Sequence, residues 1–330
     1  LAETPPRSPM VFRERMGAAI RYAVALQEHA GVDILSDGEW WRKSYIAVIA
    51  DLAHGFELGA YPDGRPYTVV VDRLTPKTRG FIAEEARFLR SITKTPFKVT
   101  IPAPALLGER LWDPARSAKA YPRREDFVED CVPILRRELL LLEEAGAALV
   151  QIDDPHLCLF VDPAVRAQHA DPDRAADVAV DKINEMVDGV GTLKLGVHLC
   201  RRAGARARKE HDHAGGYDPI LPQLNRLKVH HLTMEFTHPG AGDIAVLRKL
   251  RDDFEVGLGC LSSQPGVVDS VDAIVGRAKR AAAVRDPASL VLNPDCGFAP
   301  GSGAIVDIDE VYQKLKNQTE AARRLRQAFA

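Results

Sequence analysis

Hydrophobic and polar positions alternate between two periods along this chain. Apolar residues spaced three and four apart, as in residues 12–29, predict helices, and Gly31 is a typical stop signal for the first one. The same period predicts further helices at 45–55, 81–93, 124–147, 174–190, 219–227, 244–250, 271–284 and 310–329. Short apolar runs predict strands at 32–35, 67–74, 97–101, 148–152, 194–198, 230–236, 256–261 and 290–293. The segment 106–123 has neither period, which predicts a long surface connection.

Strands that alternate with helices indicate right-handed crossovers and a parallel sheet. Seven of the strands end at polar or ligand-type residues: Asp37, Pro102, Asp153, His198, Glu235, Ser262 and Cys296. In a (β/α)8 barrel these ends meet on one face, whereas an open sheet spreads them along a line. We therefore expect one α/β domain over residues 1–330, a TIM barrel whose first strand is absent from this sequence and is expected before Leu1.

Composition narrows the possible partners. The chain is 46% hydrophobic and 27% charged with a formal net charge of −2, so neither nucleic acid nor a membrane is expected as a partner. The sequence has no apolar run as long as a membrane span, and no secretory signal is visible. Five scattered cysteines argue against a disulfide framework. These features predict a cytoplasmic protein.

Four residues at strand ends have the chemistry of metal ligands. His198 and Cys200 stand two apart, which on a strand points both side chains to one face. Glu235 and Cys296 end two later strands. Imidazole, thiolate and carboxylate together suit zinc, with the carboxylate as a replaceable ligand. The alternative is that the cysteines are small buried hydrophobes, which is the interpretation favoured for Cys260.

Five motifs carry a family resemblance. They are Gly31-Val-Asp-Ile-Leu-Ser-Asp-Gly-Glu39, Gln151-Ile-Asp-Asp-Pro155, Val197-His-Leu-Cys-Arg201, Met234-Glu235 and Asn293-Pro-Asp-Cys-Gly-Phe298. In this order they resemble the catalytic domain of the cobalamin-independent methionine synthase family. The resemblance is to its short, single-barrel members, which include enzymes similar to epoxyalkane:coenzyme M transferase.

The resemblance implies zinc-dependent alkyl transfer, with methyl as the expected group, to a thiol such as homocysteine. It implies that the four candidate ligands bind Zn2+ and that Glu39 and Asp153 hold the amino group of the thiol substrate. The family's initial strand, which contacts the substrate carboxylate, has no counterpart here. Asp154 stands where a glutamate is usual, and Trp40-Trp41 where smaller or charged residues are usual. These departures leave the identity of the thiol open.

Further residues have two interpretations each. Glu39 and Asp153 could instead cap neighbouring helices, and Asp37 could be a cap or the carboxylate partner of His198. Arg201 could bind an anionic substrate group or face solvent. His211 and His213, in a glycine-containing loop, could donate a proton or belong to a solvated loop. The paired tryptophans could stack on a flat cofactor or pack in the core.

The residues also leave the reaction partners open. The alkyl donor could be a folate, a corrinoid protein or an epoxide, and a homo-oligomer is possible. An epoxyalkane:coenzyme M transferase would need cations around a sulfonate, which makes Glu39 and Asp153 favour an amino-acid thiol. A zinc hydrolase or lyase would use metal hydroxide, but two thiolates weaken the metal as a Lewis acid. A structural zinc site would prefer a closed, cysteine-rich set.

Overall fold

The computed structural model describes residues 8–62, 64–78, 80–203, 211, 213–298 and 307–329. Its α-helices are α1 (Pro9–Ala30), α2 (Ile49–Leu52), α3 (Phe81–Ile92), α4 (Pro104–Leu111), α5 (Arg124–Glu144), α6 (Pro155–Leu159), α7 (Pro163–Arg166), α8 (Pro172–Val187), α9 (Leu221–Leu224), α10 (Val271–Ala282) and α11 (Ile308–Phe329). The predicted long helices are confirmed to within a few residues. The predicted helices 219–227 and 244–250 are shorter: α9 has one turn, and Ile244–Lys249 is a 3-10 helix.

Six parallel strands form the main sheet in the order of the sequence. They are β3 (Lys98–Pro102), β4 (Leu149–Asp153), β5 (Leu195–Leu199), β6 (His231–Glu235), β7 (Glu255–Leu261) and β8 (Leu290–Pro294). Each strand pairs with the next, with Asp153 opposite His198 in one register. Parallel neighbours in sequence order, joined through helices, are the arrangement of a (β/α)8 barrel, and all six strands direct their carboxyl ends to one face.

The predicted strand 32–35 is reduced to one bridge. Leu35 pairs in parallel with Phe97, donating from its N–H to the carbonyl of Pro96 at 2.9 Å and accepting from the N–H of Lys98 at 2.8 Å. The segment thus occupies the position beside β3 that a preceding barrel strand would occupy, and Asp37 and Glu39 follow it at the same face. Among the described residues the sheet does not close between this segment and β8.

The predicted helix 45–55 is wrong over most of its length. Only α2 is helical, and it leads into an antiparallel hairpin of β1 (Ala53–Ala60) and β2 (Pro66–Pro76). A bulge between His54 and Phe56 places Gly55 at φ +110°, where an added Cβ would lie 2.8 Å from the carbonyl oxygen of Asp72. Glycine is required at this close approach because an L side chain would be both strained and in collision.

The predicted surface connection 106–123 is also wrong. Residues from Pro104 form α4, and Leu106, Leu107 and Tyr121 are buried. The hydroxyl of Tyr121 donates to Asp130 at 2.7 Å and accepts from the N–H of Leu74 at 2.8 Å. The segment therefore joins the hairpin to α5. Its apolar residues lack a clean period because they pack against several elements.

The outer helices bury their apolar faces on the sheet, and one hydrophobic cluster runs through all layers. By contrast, the strands direct several polar side chains to the barrel interior, including Gln151, His231 and Thr233, all of which are buried. Buried polar groups have to be hydrogen-bonded, so the interior of this barrel is organised by directed contacts. Of the helices that the structure describes, none combines the length and apolarity that a membrane span requires.

Candidate metal centre

Three predicted ligands come together at the carboxyl ends of β5 and β8. His198 is the fourth residue of β5, Cys200 follows that strand directly, and Cys296 lies two residues beyond β8. One ligand atom from each of the three lies within 4.8 Å of the other two. The sulfur atoms of Cys200 and Cys296 are 3.6 Å apart. The strand ends thus gather an imidazole and two thiols at one point.

Asp153 orients the imidazole of His198. Its Oδ1 lies 2.9 Å from His198 Nδ1 and accepts a second hydrogen bond from Gln151 Nε2 at 2.7 Å. A carboxylate on Nδ1 leaves Nε2 unprotonated and available as a ligand. Asp37 had two interpretations, a cap or the carboxylate partner of His198. The structure shows the cap, since Asp37 Oδ1 accepts a hydrogen bond from the N–H of Glu39 at 3.0 Å, and the partner interpretation is wrong. Asp153 holds the position because it stands opposite His198 on the next strand.

Contact between the two thiols favours ionisation of one of them. Contact with Cys296 is the main cause that lowers the pKa of Cys200 to about 7, and the nearby His198 acts in the same direction. The same contact, together with burial, raises the pKa of Cys296 well above its ordinary value. A thiol that ionises near neutral pH is a good ligand for a soft metal, since the thiolate is the form that binds.

These residues fit zinc. Two thiolates on one tetrahedral zinc, each about 2.3 Å from the ion, lie about 3.8 Å apart, close to the 3.6 Å between Cys200 and Cys296. An imidazole with a carboxylate behind it completes three ligands of the kind that zinc prefers. The donor set and its spacing therefore suit zinc better than magnesium or calcium, which take oxygen ligands.

Glu235 is beside this group but not within it. Its Oε2 accepts a hydrogen bond from the N–H of Arg201 at 3.0 Å and lies 3.7 Å from the Arg201 guanidinium, with both side chains fully buried. The carboxylate is thus fixed next to the residue that follows Cys200. Its role as a fourth ligand stays a prediction.

The guanidinium of Arg201 binds protein groups. It donates to the carbonyl oxygens of Gly215 at 2.6 Å and Ala241 at 3.1 Å and to the hydroxyl of Tyr217 at 3.1 Å. The solvent-facing alternative is wrong, because the side chain is completely buried. These contacts connect the loops after β5 and β6 through Arg201. Because its donors are directed at protein groups, the structure does not support binding of a substrate anion by Arg201.

Two residues without a role in the sequence interpretation fasten the strand ends. The hydroxyl of Tyr217 accepts from the N–H of Glu235 at 2.8 Å. Asp295 Oδ1 accepts from the N–H groups of Phe236 at 3.0 Å and Thr237 at 3.3 Å, and burial raises the pKa of this carboxyl to about 7. Asp295 thereby ties the loop that carries Cys296 to the end of β6. The sequence feature that could have indicated this role is the position of Asp295 directly before Cys296 in the Asn-Pro-Asp-Cys motif.

Glu39 is held in a strained conformation on the same face of the barrel. Its φ of 61° is unusual for a residue other than glycine. Its carboxylate accepts from the hydroxyl of Thr100 and lies 3.5 Å from the guanidinium of Arg42. Burial is the main cause that raises the pKa of Glu39, with the carboxylate of Asp153 acting in the same direction and Arg42 against it. Strain at such a position is a common property of functional sites.

Asp153 has one oxygen left for a ligand. Oδ1 serves Gln151 and His198, whereas Oδ2 accepts no hydrogen bond from the described part of the chain. Asp153 ends β4 and Glu39 follows the segment beside β3, so both carboxylates lie on the same face of the barrel. Two acids at the mouth of one barrel attract a cationic group, as the resemblance implies for both. By contrast, Asp154 is a buried helix cap whose Oδ1 accepts from the N–H of Leu157 at 2.8 Å.

His213 and His211 lie in the loop after β5. His213 Nδ1 is 2.8 Å from Asp162 Oδ2, and the two imidazole rings stack with centroids 5.5 Å apart. His213 Nε2 is buried and makes no hydrogen bond with the described residues. Although burial opposes ionisation of Asp162, the hydrogen bond from His213 lowers the pKa of that carboxyl. His213 thus has an orienting partner and a free ring nitrogen, while His211 is exposed.

Packing decides between the two interpretations of the paired tryptophans and of Cys260. Trp41 lies against Phe88, with ring centroids 4.6 Å apart and the guanidinium of Arg13 stacked 4.3 Å from the Trp41 ring. It belongs to the core, as does Trp40 in part. Cys260 is buried in the same cluster, and its thiol is directed at the carbonyl of Asn293 at 3.7 Å. Cys260 is therefore core filler.

Comparison with known proteins identifies relatives over nearly the whole chain. Residues 8–324 match the family described as the catalytic domain of cobalamin-independent synthase. A methionine synthase of Pyrococcus abyssi is 29% identical over 96% of this chain and 84% of its own length. A methionine synthase of Methanothermobacter thermautotrophicus is 27% identical over 97% and 96% respectively.

Solved structures agree on the fold. A B12-independent methionine synthase from Shewanella sp. W3-18-1, solved in complex with selenomethionine, superposes with a TM-score of 0.76 at 20% identity, covering 95% of this chain and 88% of that one. At this identity the likeness concerns the fold alone, and it confirms the predicted TIM-barrel class.

Proposed function

The chain belongs to the cobalamin-independent methionine synthase family, and from that premise we propose that it is a zinc-dependent methyltransferase whose acceptor is an amino-acid thiol such as homocysteine. The observation that carries the proposal is the grouping of His198, Cys200 and Cys296 within 4.8 Å. It is supported by the two carboxylates of Glu39 and Asp153 on the same face. The curated relatives from Pyrococcus and Methanothermobacter are both named methionine synthases.

The chain's residues divide the work between the sulfur and the amino group of the acceptor. His198, Cys200 and Cys296 would hold the zinc, and Glu235 would be the fourth ligand. When bound, zinc keeps a coordinated thiol deprotonated at neutral pH. Two cysteine thiolates limit the positive charge of the centre, which preserves the nucleophilicity of the acceptor sulfur. Asp153 Oδ2 and Glu39 would bind the ammonium group and so fix the direction from which the sulfur approaches.

The transfer itself exchanges one bond for another. A bond forms between the acceptor sulfur and the methyl carbon, and the bond from that carbon to the donor breaks with its electron pair remaining on the donor. The donor then takes up a proton. We propose that His213 supplies it from Nε2, since Asp162 orients the ring through Nδ1 and Nε2 makes no hydrogen bond with the described residues. The chemical class of the donor, a methylated folate or a methylated corrinoid, is a question for assay.

The proposal is tested by turnover with defined substrates. Purified protein is assayed with homocysteine and with methyltetrahydrofolate or methylcobalamin, with zinc content measured on the same sample. The expected result is about one zinc per chain and methionine formed only when thiol, donor and zinc are all present. Full turnover after complete removal of zinc, or product formed from water in place of a thiol, would overturn it. Equal turnover with coenzyme M and an epoxide would instead indicate the epoxide-opening reaction.

A further inference from the structure

A chain of three hydrogen bonds connects the barrel interior with the candidate zinc ligand His198. Lys98 Nζ donates to Gln151 Oε1 at 2.7 Å, Gln151 Nε2 donates to Asp153 Oδ1 at 2.7 Å, and that oxygen lies 2.9 Å from His198 Nδ1. The four side chains come from β3, β4 and β5, three adjacent strands. Gln151 and Asp153 stand two apart on β4, so their side chains share the inner face.

The direction of these hydrogen bonds follows from Lys98. An ammonium group only donates, so Gln151 must turn its oxygen toward Lys98 and its NH2 group toward Asp153. Asp153 Oδ1 then accepts from Gln151 and from the Nδ1–H of His198. This arrangement fixes the imidazole tautomer with an unprotonated Nε2. Without the Lys98 donor, Asp153 alone would hold the amide of Gln151, so Gln151 could adopt other side-chain conformations and leave Asp153 Oδ1 without its second donor.

We infer that Lys98 is a positioning residue for the metal centre, acting through Gln151 and Asp153 to orient His198. The inference rests on the proposed zinc-dependent function and extends it by two residues that touch neither metal nor substrate. Partners behind a metal-bound histidine commonly set affinity by about 10- to 100-fold.

The first measurement is zinc affinity, by competition of Zn2+ alone against a chromophoric chelator, on metal-free full-length protein. We expect Lys98→Met and Gln151→Leu each to weaken zinc binding by about 10-fold or more. Lys98→Arg keeps a cationic donor at the position and should restore binding to within about 3-fold of the unaltered protein. Circular dichroism and thermal melting verify that each variant is folded. Should Lys98→Met fail to fold, the zinc affinities of Gln151→Leu and Lys98→Arg are compared instead: the first should be weakened and the second retained.

The matched control is Lys194→Met. Lys194 precedes β5 directly and pairs with Glu255, the first residue of β7, at 2.7 Å. It is not one of the four residues in the hydrogen-bond chain to His198. The Lys194→Met variant makes the same side-chain change as Lys98→Met and also removes one ion pair. Because the hydrogen-bond chain to His198 stays intact, its zinc affinity should not change. A similar loss of affinity in Lys194→Met would overturn the inference, since it would show a general effect of interior charge.

The double variant Lys98→Met/Gln151→Leu separates a hydrogen-bond chain from an independent charge effect. If Lys98 acts through Gln151, the double variant binds zinc as weakly as Gln151→Leu alone, because the connection is already broken. Additive losses would overturn the positioning role. If the unaltered protein takes up no zinc, the proposed function itself fails. If it binds zinc and Lys98→Met binds equally well, only the inference about Lys98 fails.

Discussion

The sulfur atoms of Cys200 and Cys296 lie 3.6 Å apart although 96 positions separate the two residues in sequence. The carboxyl ends of β5 and β8 bring them together, with two strands lying between. Because β6 and β7 separate the two strands in the sheet, it takes the curvature of a barrel to bring these two ends to one point. Asp295 stabilises that turn by accepting hydrogen bonds from the residues after β6.

Loss of one thiol should remove the metal. We expect Cys296→Ala to bind zinc more than about 100-fold more weakly, since even the outer partners of ligands account for 10- to 100-fold. Zinc per chain after dialysis against a weak chelator is the measurement. Cys260→Ala is the matched control, a buried thiol outside the ligand group, and it should retain the metal. Stoichiometric zinc in Cys296→Ala would contradict the assignment.

The proposed role of Glu39 can be tested by comparing KM for thiols with and without an amino group. Glu39→Gln removes a charge that would bind the ammonium group of homocysteine, and a hydrogen bond to a charged group contributes about 1.5–3 kcal/mol. KM for homocysteine should therefore rise by about 10-fold or more. KM for 4-mercaptobutanoate, which has the same thiol and carboxylate without the amino group, should be unchanged. An equal rise with both thiols would mean that Glu39 does not read the amino group.

The stacked histidines should differ in effect. We expect His213→Asn to lower kcat by about 100-fold or more, the usual loss when a positioned proton donor is removed, with zinc content and KM for the thiol little changed. His211→Asn removes an exposed neighbour without a carboxylate partner and should retain most activity. The measurement is steady-state kinetics on zinc-loaded protein. Comparable losses in both variants would show that ring stacking, not proton donation, is what the loop requires.

Stability should depend on the buried pair of Arg42 and Glu85. Arg42 Nη2 lies 2.6 Å from Glu85 Oε2, and both side chains are almost fully buried. Glu85→Ala removes the nearest carboxylate from a buried guanidinium and leaves it only the longer contact to Glu39 at 3.5 Å, which costs about 3 kcal/mol of unfolding free energy. Asp33→Ala removes a contact of similar length, 2.7 Å to Arg326, at an exposed site, and should cost about 1 kcal/mol or less. Urea unfolding of the two variants makes the comparison.

Acid should destabilise the protein in part through Glu255. Hydrogen bonds from His231, the largest cause, and from Lys194 lower the pKa of Glu255 to about 2. Because the folded pKa lies below the unfolded value, the stabilisation is complete above about pH 4.5 and is lost as the pH falls toward 2. Since the group is partly exposed, we expect a loss of about 1 kcal/mol between pH 6 and 3.

Glu255→Gln isolates this contribution. The variant should be less stable at pH 6, and its stability should fall less steeply between pH 6 and 3 than that of the unaltered protein. Urea midpoints measured at both pH values give the comparison. Parallel curves for the two proteins would assign the acid sensitivity to other carboxyl groups.

The sequence alone determined the class of the fold and named four candidate ligands, of which the structure brings three together and leaves Glu235 beside them. Strands of β4 to β8 are runs of apolar residues with one clear period, so their ends could be located to within a residue or two. A barrel then requires those ends to meet, which made His198, Cys200 and Cys296 one group before any distance was known. Local patterns were sufficient because each ligand lies directly at the end of a regular strand.

Only the tertiary structure decided what holds the ligands. Asp153, not Asp37, orients His198 because strand register sets which residue stands opposite it. Arg201 is buried because contacts from Gly215, Tyr217 and Ala241 converge on it from two loops. Strand 67–74 was predicted and is β2, whereas β1 and α4 were missed because their apolar residues face several elements at once. Pairing between residues distant in sequence depends on register and loop path, and neither leaves a periodic signal in the chain.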